Sequence, residues 1–187
     1  QMMIASRHGN TPVKKGDKLA GTRIIPLVIE KEKMHEAAAI CADGPILELK
    51  EFHKKKVGII TTGNEVYHKR IEDTFTPVIK EKLAEYDTEV IYHEIFDDNH
   101  EKITRGCLTA IEKGADLVIC TGGMSVDPDD KTPLAIKNTG AEIVSYGAPV
   151  LPGAMFLLSY YQNDIPILGL PGCVMYAKRT IFDLVLP

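Results

Sequence analysis

Three short segments rich in glycine and polar residues mark where this chain could bind a charged ligand. They lie at 61–65 (TTGNE), 121–130 (TGGMSVDPDD) and 170–173 (LPGC). Each follows a short apolar, largely β-branched run, which predicts a strand that ends where the segment begins. In an open parallel sheet, ligands bind beyond the carboxyl ends of the strands. The three segments are therefore predicted to form one ligand site.

The pair Gly122-Gly123 is the first candidate for an anion site. Glycine adopts positive φ readily, and successive backbone N–H groups can then point to one side and bind an anion without any charged side chain. Ser125 adds a hydroxyl donor. A simple tight turn after the strand is the alternative interpretation. Pro171-Gly172 precedes a predicted helix, whose N-terminal N–H groups form a second candidate anion site.

The carboxylates of Asp127, Asp129 and Asp130 form an unusual cluster within four residues. Such charges repel one another unless a cation or a helix N-terminus offsets them. In one interpretation Asp130 caps the helix that begins near Thr132. In the other, the cluster binds Mg²⁺, which takes a few carboxylates, waters and a substrate phosphate. Glu65 on the neighbouring segment could then supply a further oxygen.

The elements that would hold these segments alternate along the chain from residue 57. Strands are predicted at 57–62, 88–96, 116–120, 142–145 and 165–168, and helices at 72–86, 99–113, 132–138 and from 173 onward. This alternation predicts an α/β fold, a doubly wound and mostly parallel sheet with helices on both faces. The run DLVIC at 116–120 is apolar enough to be buried on both faces, so we expect this strand to be central.

Residues 1–56 show a different pattern and are predicted to form a small, partial α+β segment that ends in a linker. Strands are expected at 23–29 and 46–52, a helix at 32–42, and the linker at 53–56 (HKKK). The domain prediction is therefore 1–56 followed by 57–187. Because the chain starts at Gln and stops just after an apolar stretch, we expect it to be part of a longer protein.

Composition excludes several classes of function. The 187 residues are 44% hydrophobic and 26% charged, without a membrane-length apolar run or an export signal, so we expect a cytoplasmic protein with no membrane partner. Residues 57–187 carry 11 basic and 19 acidic side chains, a balance that argues against nucleic-acid binding. The four cysteines are too far apart for a zinc cluster or a disulfide framework. The common dinucleotide and triphosphate glycine motifs are absent.

Four motifs, taken together and in order, carry a family resemblance. They are TTGNEV at 61–66, IEDT at 71–74, TGGMSVDPDDKTP at 121–133 and GLPGCVMYA at 169–177. Through them residues 57–187 resemble the MoaB/Mog-type molybdopterin-binding domain, which molybdopterin adenylyltransferases and molybdopterin molybdotransferases share. The chain departs from the family pattern at Asp127, where glycine is usual.

The resemblance implies roles for individual residues. The pterin phosphate and the reacting centre would be surrounded by Gly122, Gly123, Ser125 and Asp130, with Asp130 in the catalytic position. Further cofactor-binding positions would be Thr62, Gly63, Asp73, Thr74, Thr132, Pro171 and Gly172. Independently of the resemblance, the acidic cluster and its neighbouring segment predict Asp130, Asp127 and Glu65 as metal ligands.

The function implied by this resemblance is molybdopterin binding in molybdenum cofactor biosynthesis. We expect a molybdotransferase-like enzyme that inserts molybdate into molybdopterin, or its adenylylated form, with Mg²⁺. Its partner would be a small pterin phosphate, the protein a homo-oligomer, and molybdoenzymes the recipients of the cofactor. Three alternatives stay open: a non-catalytic carrier or sensor of the cofactor, a molybdopterin adenylyltransferase, and a nucleotide pyrophosphatase.

Overall fold

A computed structural model describes residues 2–125, 127 and 130–187, and the chain divides into two compact units, 1–51 and 52–187. The first unit contains the antiparallel strands β1 (Met2–Ser6) and β2 (Ala20–Ile24) and helix α1 (Lys31–Ala39). The strand predicted at 23–29 instead ends at Ile24. Pro26 lacks the N–H that a continuing strand would donate. The strand predicted at 46–52 is wrong, because these residues join no sheet.

The second unit is built on one six-stranded sheet. Its strands are β3 (Lys56–Thr62), β4 (Glu89–Phe96), β5 (Leu117–Thr121), β6 (Glu142–Tyr146), β7 (Leu157–Tyr161) and β8 (Ile165–Leu170). Its α-helices are α2 (Asn64–Tyr67), α3 (Phe75–Ala84), α4 (His100–Glu112), α5 (Thr132–Asn138) and α6 (Ile181–Val185), and a 3₁₀-helix spans Gly172–Met175.

The strand order is β4-β3-β5-β8-β7-β6, which places β5 in the interior of the sheet as predicted. Strands β4, β3, β5 and β8 are parallel, whereas β7 is antiparallel to both of its neighbours. Helices α4 and α5 pack on one face through a core that includes Ile103 and Ile136. Helices α3 and α6 pack on the other through Ile79 and Phe182. The predicted α/β fold with helices on both faces is confirmed.

Strand β7 is the element that the sequence pattern did not reveal. It forms a hairpin with β8, and the connecting turn holds Gln162 at φ 51° and Asn163 at φ 60°. Two residues with positive φ are what a tight hairpin requires, and Asn-Gly is the usual pair. Gln-Asn is a weaker signal, and for that reason the hairpin was not predicted.

The single helix predicted from residue 173 onward is also wrong. The 3₁₀-helix ends at Met175, and α6 starts afresh after Thr180, whose backbone N–H donates to Asp183 Oδ2 at 2.7 Å in a capping box. Asp183 also accepts from the Lys82 ammonium at 2.7 Å, with only 9% and 3% of the Lys82 and Asp183 side chains exposed. This buried ion pair ties α3 to α6.

No helix within the described part of the chain is both long and apolar enough to cross a membrane.

Candidate functional site

The three glycine-containing segments do meet at one edge of the sheet. Strands β3, β5 and β8 are parallel, so their last residues, Thr62, Thr121 and Leu170, lie at the same carboxyl edge. Strand β6 is antiparallel to β7, which is antiparallel to β8, so Tyr146 at the end of β6 lies at that edge as well. This edge is where an open α/β sheet binds its ligands.

Gly122 and Gly123 both adopt positive φ, at 82° and 55°. A Cβ on Gly122 would lie 2.1 Å from the carbonyl oxygen of Thr62, and one on Gly123 would lie 2.9 Å from Thr132 Oγ1. Only glycine permits both the left-handed backbone and this close approach. The predicted positive-φ turn is confirmed, and it packs directly against the end of β3.

Two buried threonines hold this turn in place. Thr62 Oγ1 donates to the Thr121 carbonyl at 3.1 Å and lies 3.2 Å from Thr132 Oγ1, which donates to the Gly122 carbonyl at 2.8 Å. Thr62 is 3% exposed and Thr132 is 1% exposed. Buried polar groups are normally hydrogen-bonded, and both of these hydroxyls donate to backbone carbonyl groups at the turn. They shape the site from beneath.

Asp130 has a partner that the sequence did not indicate. Its Oδ2 accepts from the Ser125 backbone N–H at 2.6 Å, and its own N–H donates to the Asp127 carbonyl at 3.0 Å. The N-cap of α5 is Lys131, which makes no side-chain capping bond. The interpretation of Asp130 as the helix cap is therefore wrong. The Ser125 N–H is also not free, contrary to the simplest form of the anion-site prediction.

Tyr146 also lines the site, although the sequence analysis did not identify it. Its hydroxyl donates to the Ser125 carbonyl at 3.3 Å, so that Asp130 and Tyr146 hold the two backbone groups of one residue. Burial raises the pKa of Tyr146, and the Asp130 carboxylate raises it further. The hydroxyl thus stays protonated and remains a donor. Only the pairing of β6 with β7 brings this side chain to the loop.

Asp73 and Thr74 lie at the start of α3. Asp73 Oδ1 accepts from the backbone N–H groups of Phe75 and Thr76, both at 3.0 Å, and so performs the capping role for this helix. The Thr74 hydroxyl lies 2.9 Å from the sulfur of Met175, in the 3₁₀-helix that follows Pro171. The structure therefore brings the Asp73 segment together with the Pro171-Gly172 turn.

The second candidate anion site, the N-terminus of a helix after Pro171-Gly172, is not built as predicted. A four-residue 3₁₀-helix starts there, which is too short to give the dipole of an α-helix. Positive charge lies elsewhere at this edge. Lys69 and Arg70 line a cavity of about 360 Å³ beside Asp73, on the segment between α2 and α3.

The predicted metal ligands Asp130, Asp127 and Glu65 do not form a preformed metal site. Among the residues that the structure describes, no group of three or more His, Cys, Asp or Glu side chains converges as a metal ion requires. Glu65 is exposed on α2. Asp129, part of the acidic cluster in the sequence, lies outside the described residues.

A doubly wound sheet with a glycine turn, hydroxyl groups and a carboxylate at its carboxyl edge defines a class of α/β domain whose ligands bind at that edge. Residues 58–187 match the family described as probable molybdopterin binding domain. The match covers more than half of the chain, and the chain belongs to this family.

Individual relatives agree with this assignment. A molybdopterin molybdenumtransferase of Haemophilus influenzae is 29% identical over 184 residues, covering 94% of this chain and 43% of that protein. Among solved structures, the molybdopterin biosynthesis enzyme MoaB from Thermus thermophilus is 28% identical with a TM-score of 0.61, covering 71% of this chain and 90% of that one.

A shorter match carries a different name. A Bacillus velezensis protein provisionally named competence-damage inducible protein is 35% identical over 85 residues, covering 46% of this chain and 20% of that protein. The chain thus spans less than half the length of either of these two curated relatives.

Proposed function

We propose that this chain binds molybdopterin through its phosphate at the glycine turn and acts in molybdenum cofactor assembly. The observation that supports this best is the turn Gly122-Gly123, held against β3 by Thr62 and Thr132 at the carboxyl edge of the sheet. Backbone N–H groups in such a turn suit a phosphate without needing a basic side chain. Ser125 adds a hydroxyl at the same place, while its backbone N–H is already donated to Asp130.

The remaining predicted residues divide into two roles. Thr62 and Thr132 position the turn, because their hydroxyls are buried in bonds to its backbone. The pterin end of the ligand lies toward the start of α3 and the turn before the 3₁₀-helix, which the contact between Thr74 and Met175 joins. The residues assigned to that end are Gly63, Asp73, Thr74, Pro171 and Gly172.

The reaction we propose is insertion of molybdate into molybdopterin or its adenylylated form, with Asp130 as the catalytic carboxylate. Mg²⁺ needs only one or two protein carboxylates when the substrate supplies phosphate oxygens. Asp130, with Asp127 as its neighbour, meets that requirement without the exposed Glu65. When bound, Mg²⁺ would neutralise phosphate or molybdate charge. Within the chain, Ser125 and Tyr146 orient the Asp130 carboxylate and the loop.

A binding titration tests the proposal. Molybdopterin is followed by its own fluorescence during addition of the intact chain, in parallel with the variants Gly123→Ala and Gly114→Ala. Gly114 also has positive φ, at 93°, but a Cβ there would meet nothing within 4 Å, and it precedes β5 at the opposite edge of the sheet. Both variants carry the backbone strain of a left-handed residue, roughly 1–2 kcal/mol. Only Gly123→Ala should lose affinity.

The alternatives predict different results in the same preparation. A carrier or sensor binds molybdopterin without turnover of molybdate or ATP. An adenylyltransferase turns over ATP with molybdopterin. A nucleotide pyrophosphatase binds no pterin and cleaves a nucleotide pyrophosphate instead. Equal loss of affinity in Gly123→Ala and Gly114→Ala would show that the glycine turn has no special part in binding.

A further inference from the structure

One histidine of the second unit lies in a hydrogen-bonded cluster beside the proposed pterin site. His93 is on the edge strand β4, and its Nε2 lies 2.9 Å from Thr76 Oγ1 on α3. The same Thr76 oxygen lies 2.5 Å from Asp73 Oδ2, and Thr61 Oγ1 on β3 lies 3.1 Å from it. Thr61 is fully buried and Thr76 is 5% exposed. Three side chains, from β3, from β4 and from the residue segment before α3, therefore converge on the Thr76 hydroxyl.

The direction of each hydrogen bond in this cluster follows from what the groups can donate. An ionised Asp73 carboxylate only accepts, so the single proton of the Thr76 hydroxyl must go to Asp73. The Thr76 oxygen then has two lone pairs to be filled by donors. His93 Nε2–H and the Thr61 hydroxyl are the two groups within reach. A neutral ring with its proton on Nε2 provides one of these donors, whereas a neutral ring with its proton on Nδ1 could not donate to the Thr76 oxygen.

The environment of His93 favours that neutral form. Burial lowers the pKa of His93, an effect that the nearby Asp73 carboxylate opposes and Lys80 reinforces. Its Nε2 lies 3.5 Å from Asp73 Oδ2, on the same side as Thr76. The 2.9 Å distance from Nε2 to Thr76 Oγ1 suits a neutral ring that donates from Nε2.

We infer that His93 is a positioning residue of the pterin site, acting through the Thr76 hydroxyl on the Asp73 carboxylate. His93 directs the Thr76 proton toward Asp73 Oδ2, and Asp73 Oδ1 then accepts the two N–H groups that start α3. The start of α3 sets where Thr74 meets Met175 beside the Pro171-Gly172 turn. The inference rests on the proposed function, because it assigns the Asp73 segment to the pterin.

The test compares His93→Ala with His93→Gln in the intact chain, using molybdopterin as the probe. Alanine removes the donor, and we expect the affinity to fall about three- to tenfold, the range that one neutral hydrogen bond supplies. The amide N–H of glutamine can replace Nε2–H, and we expect that variant to bind within about twofold of the parent. His53→Ala, at an exposed position of the second unit, is the matched control and should bind normally.

Two further measurements separate positioning from a general structural role. In a Thr76→Val background, His93→Ala should cause no additional loss, because the connection to Asp73 is already broken. Nitrogen NMR of the parent should show His93 protonated at Nε2. A loss of melting temperature with unchanged affinity in His93→Ala, additive losses in the double variant, or protonation at Nδ1 would each overturn the inference.

The parent chain decides which hypothesis has failed. If it binds molybdopterin and His93→Ala binds equally well, this inference alone is wrong. If the parent binds no molybdopterin, the proposed function is wrong and the inference is overturned with it.

Discussion

Replacing Asp130 with Asn separates the chemical role of this residue from its structural one. In the structure Asp130 accepts the Ser125 N–H at 2.6 Å, and an Asn side-chain oxygen can accept the same bond. A hydrogen bond to a charged group contributes about 1.5–3 kcal/mol and a neutral one about 0.5–1.5 kcal/mol. Ser125 is exposed and Asp130 half-buried, so solvent reduces the difference. We expect Asp130→Asn to lose about 1 kcal/mol of stability or less.

That loss is small in a thermal melt. For a unit of this size, about 1 kcal/mol corresponds to a shift of roughly 3 °C in Tm. Turnover should respond differently, because the substitution removes the negative charge that Mg²⁺ and the transferring group require. We expect turnover with molybdopterin and molybdate to fall on the order of a hundredfold or more, equivalent to several kcal/mol. Binding of molybdopterin should also lose its dependence on Mg²⁺.

The assay measures Tm, turnover and Mg²⁺-dependent binding on the same preparations. Asp164→Asn is the matched control, because Asp164 lies exposed in the turn before β8, at the opposite edge of the sheet from the glycine loop. It should change none of the three quantities. Near-normal turnover in Asp130→Asn, in whichever reaction the parent supports, would refute the catalytic assignment and leave the bond to Ser125 as the role of Asp130.

Three further predictions concern the groups that hold the site and the helices together. Thr132→Val removes the buried hydroxyl that donates to the Gly122 carbonyl at 2.8 Å, so we expect about 1–2 kcal/mol less stability and weaker pterin binding, whereas Thr132→Ser should preserve both. Denaturant unfolding measures the stability and fluorescence titration measures the binding. Equal losses in the two variants would contradict the reasoning. Lys82→Met removes the ammonium partner of the buried Asp183 carboxylate but leaves the Arg179 guanidinium at 3.2 Å, so it should cost up to about 3 kcal/mol in urea unfolding. Burial alone would raise the pKa of Asp183, but its bonds to Lys82 and to the Thr180 N–H outweigh this and hold the pKa below the usual 3.8. The stability from this carboxylate is therefore present above the ordinary Asp range and lost as the pH falls through the lowered pKa. Asp183→Asn should accordingly lose stability less steeply than the parent below about pH 4, and an identical acid limb in the two proteins would show that the pair does not control it.

The sequence alone determined those features that depend on a short window of residues. The continuous apolar run at 117–120 requires burial on both faces, and β5 is an interior strand. Gly122-Gly123 permits a left-handed backbone, and the turn adopts it. The strand-helix alternation from residue 57 is likewise local, and it yields the α/β fold.

Tertiary structure decided the partners of the polar side chains. A pattern in the sequence does not show whether Asp130 caps α5 or accepts from Ser125, because both acceptor geometries are available within the same loop. It also does not show that Tyr146 reaches that loop, which follows from the unpredicted strand β7. The pair Lys82 and Asp183 joins residues 101 positions apart, well beyond any helical or strand period.

The physical reason is the range of the forces involved. Backbone conformation and burial periodicity are set within a few residues, and so they can be inferred from composition and spacing. Side-chain hydrogen bonds form between whichever groups the packed elements bring within about 3 Å, and that depends on sheet order and register. His93 shows the difference: no spacing in the sequence distinguishes it from the other histidines, and only the pairing of β4 with β3 and the packing of α3 place it beside Thr61 and Thr76.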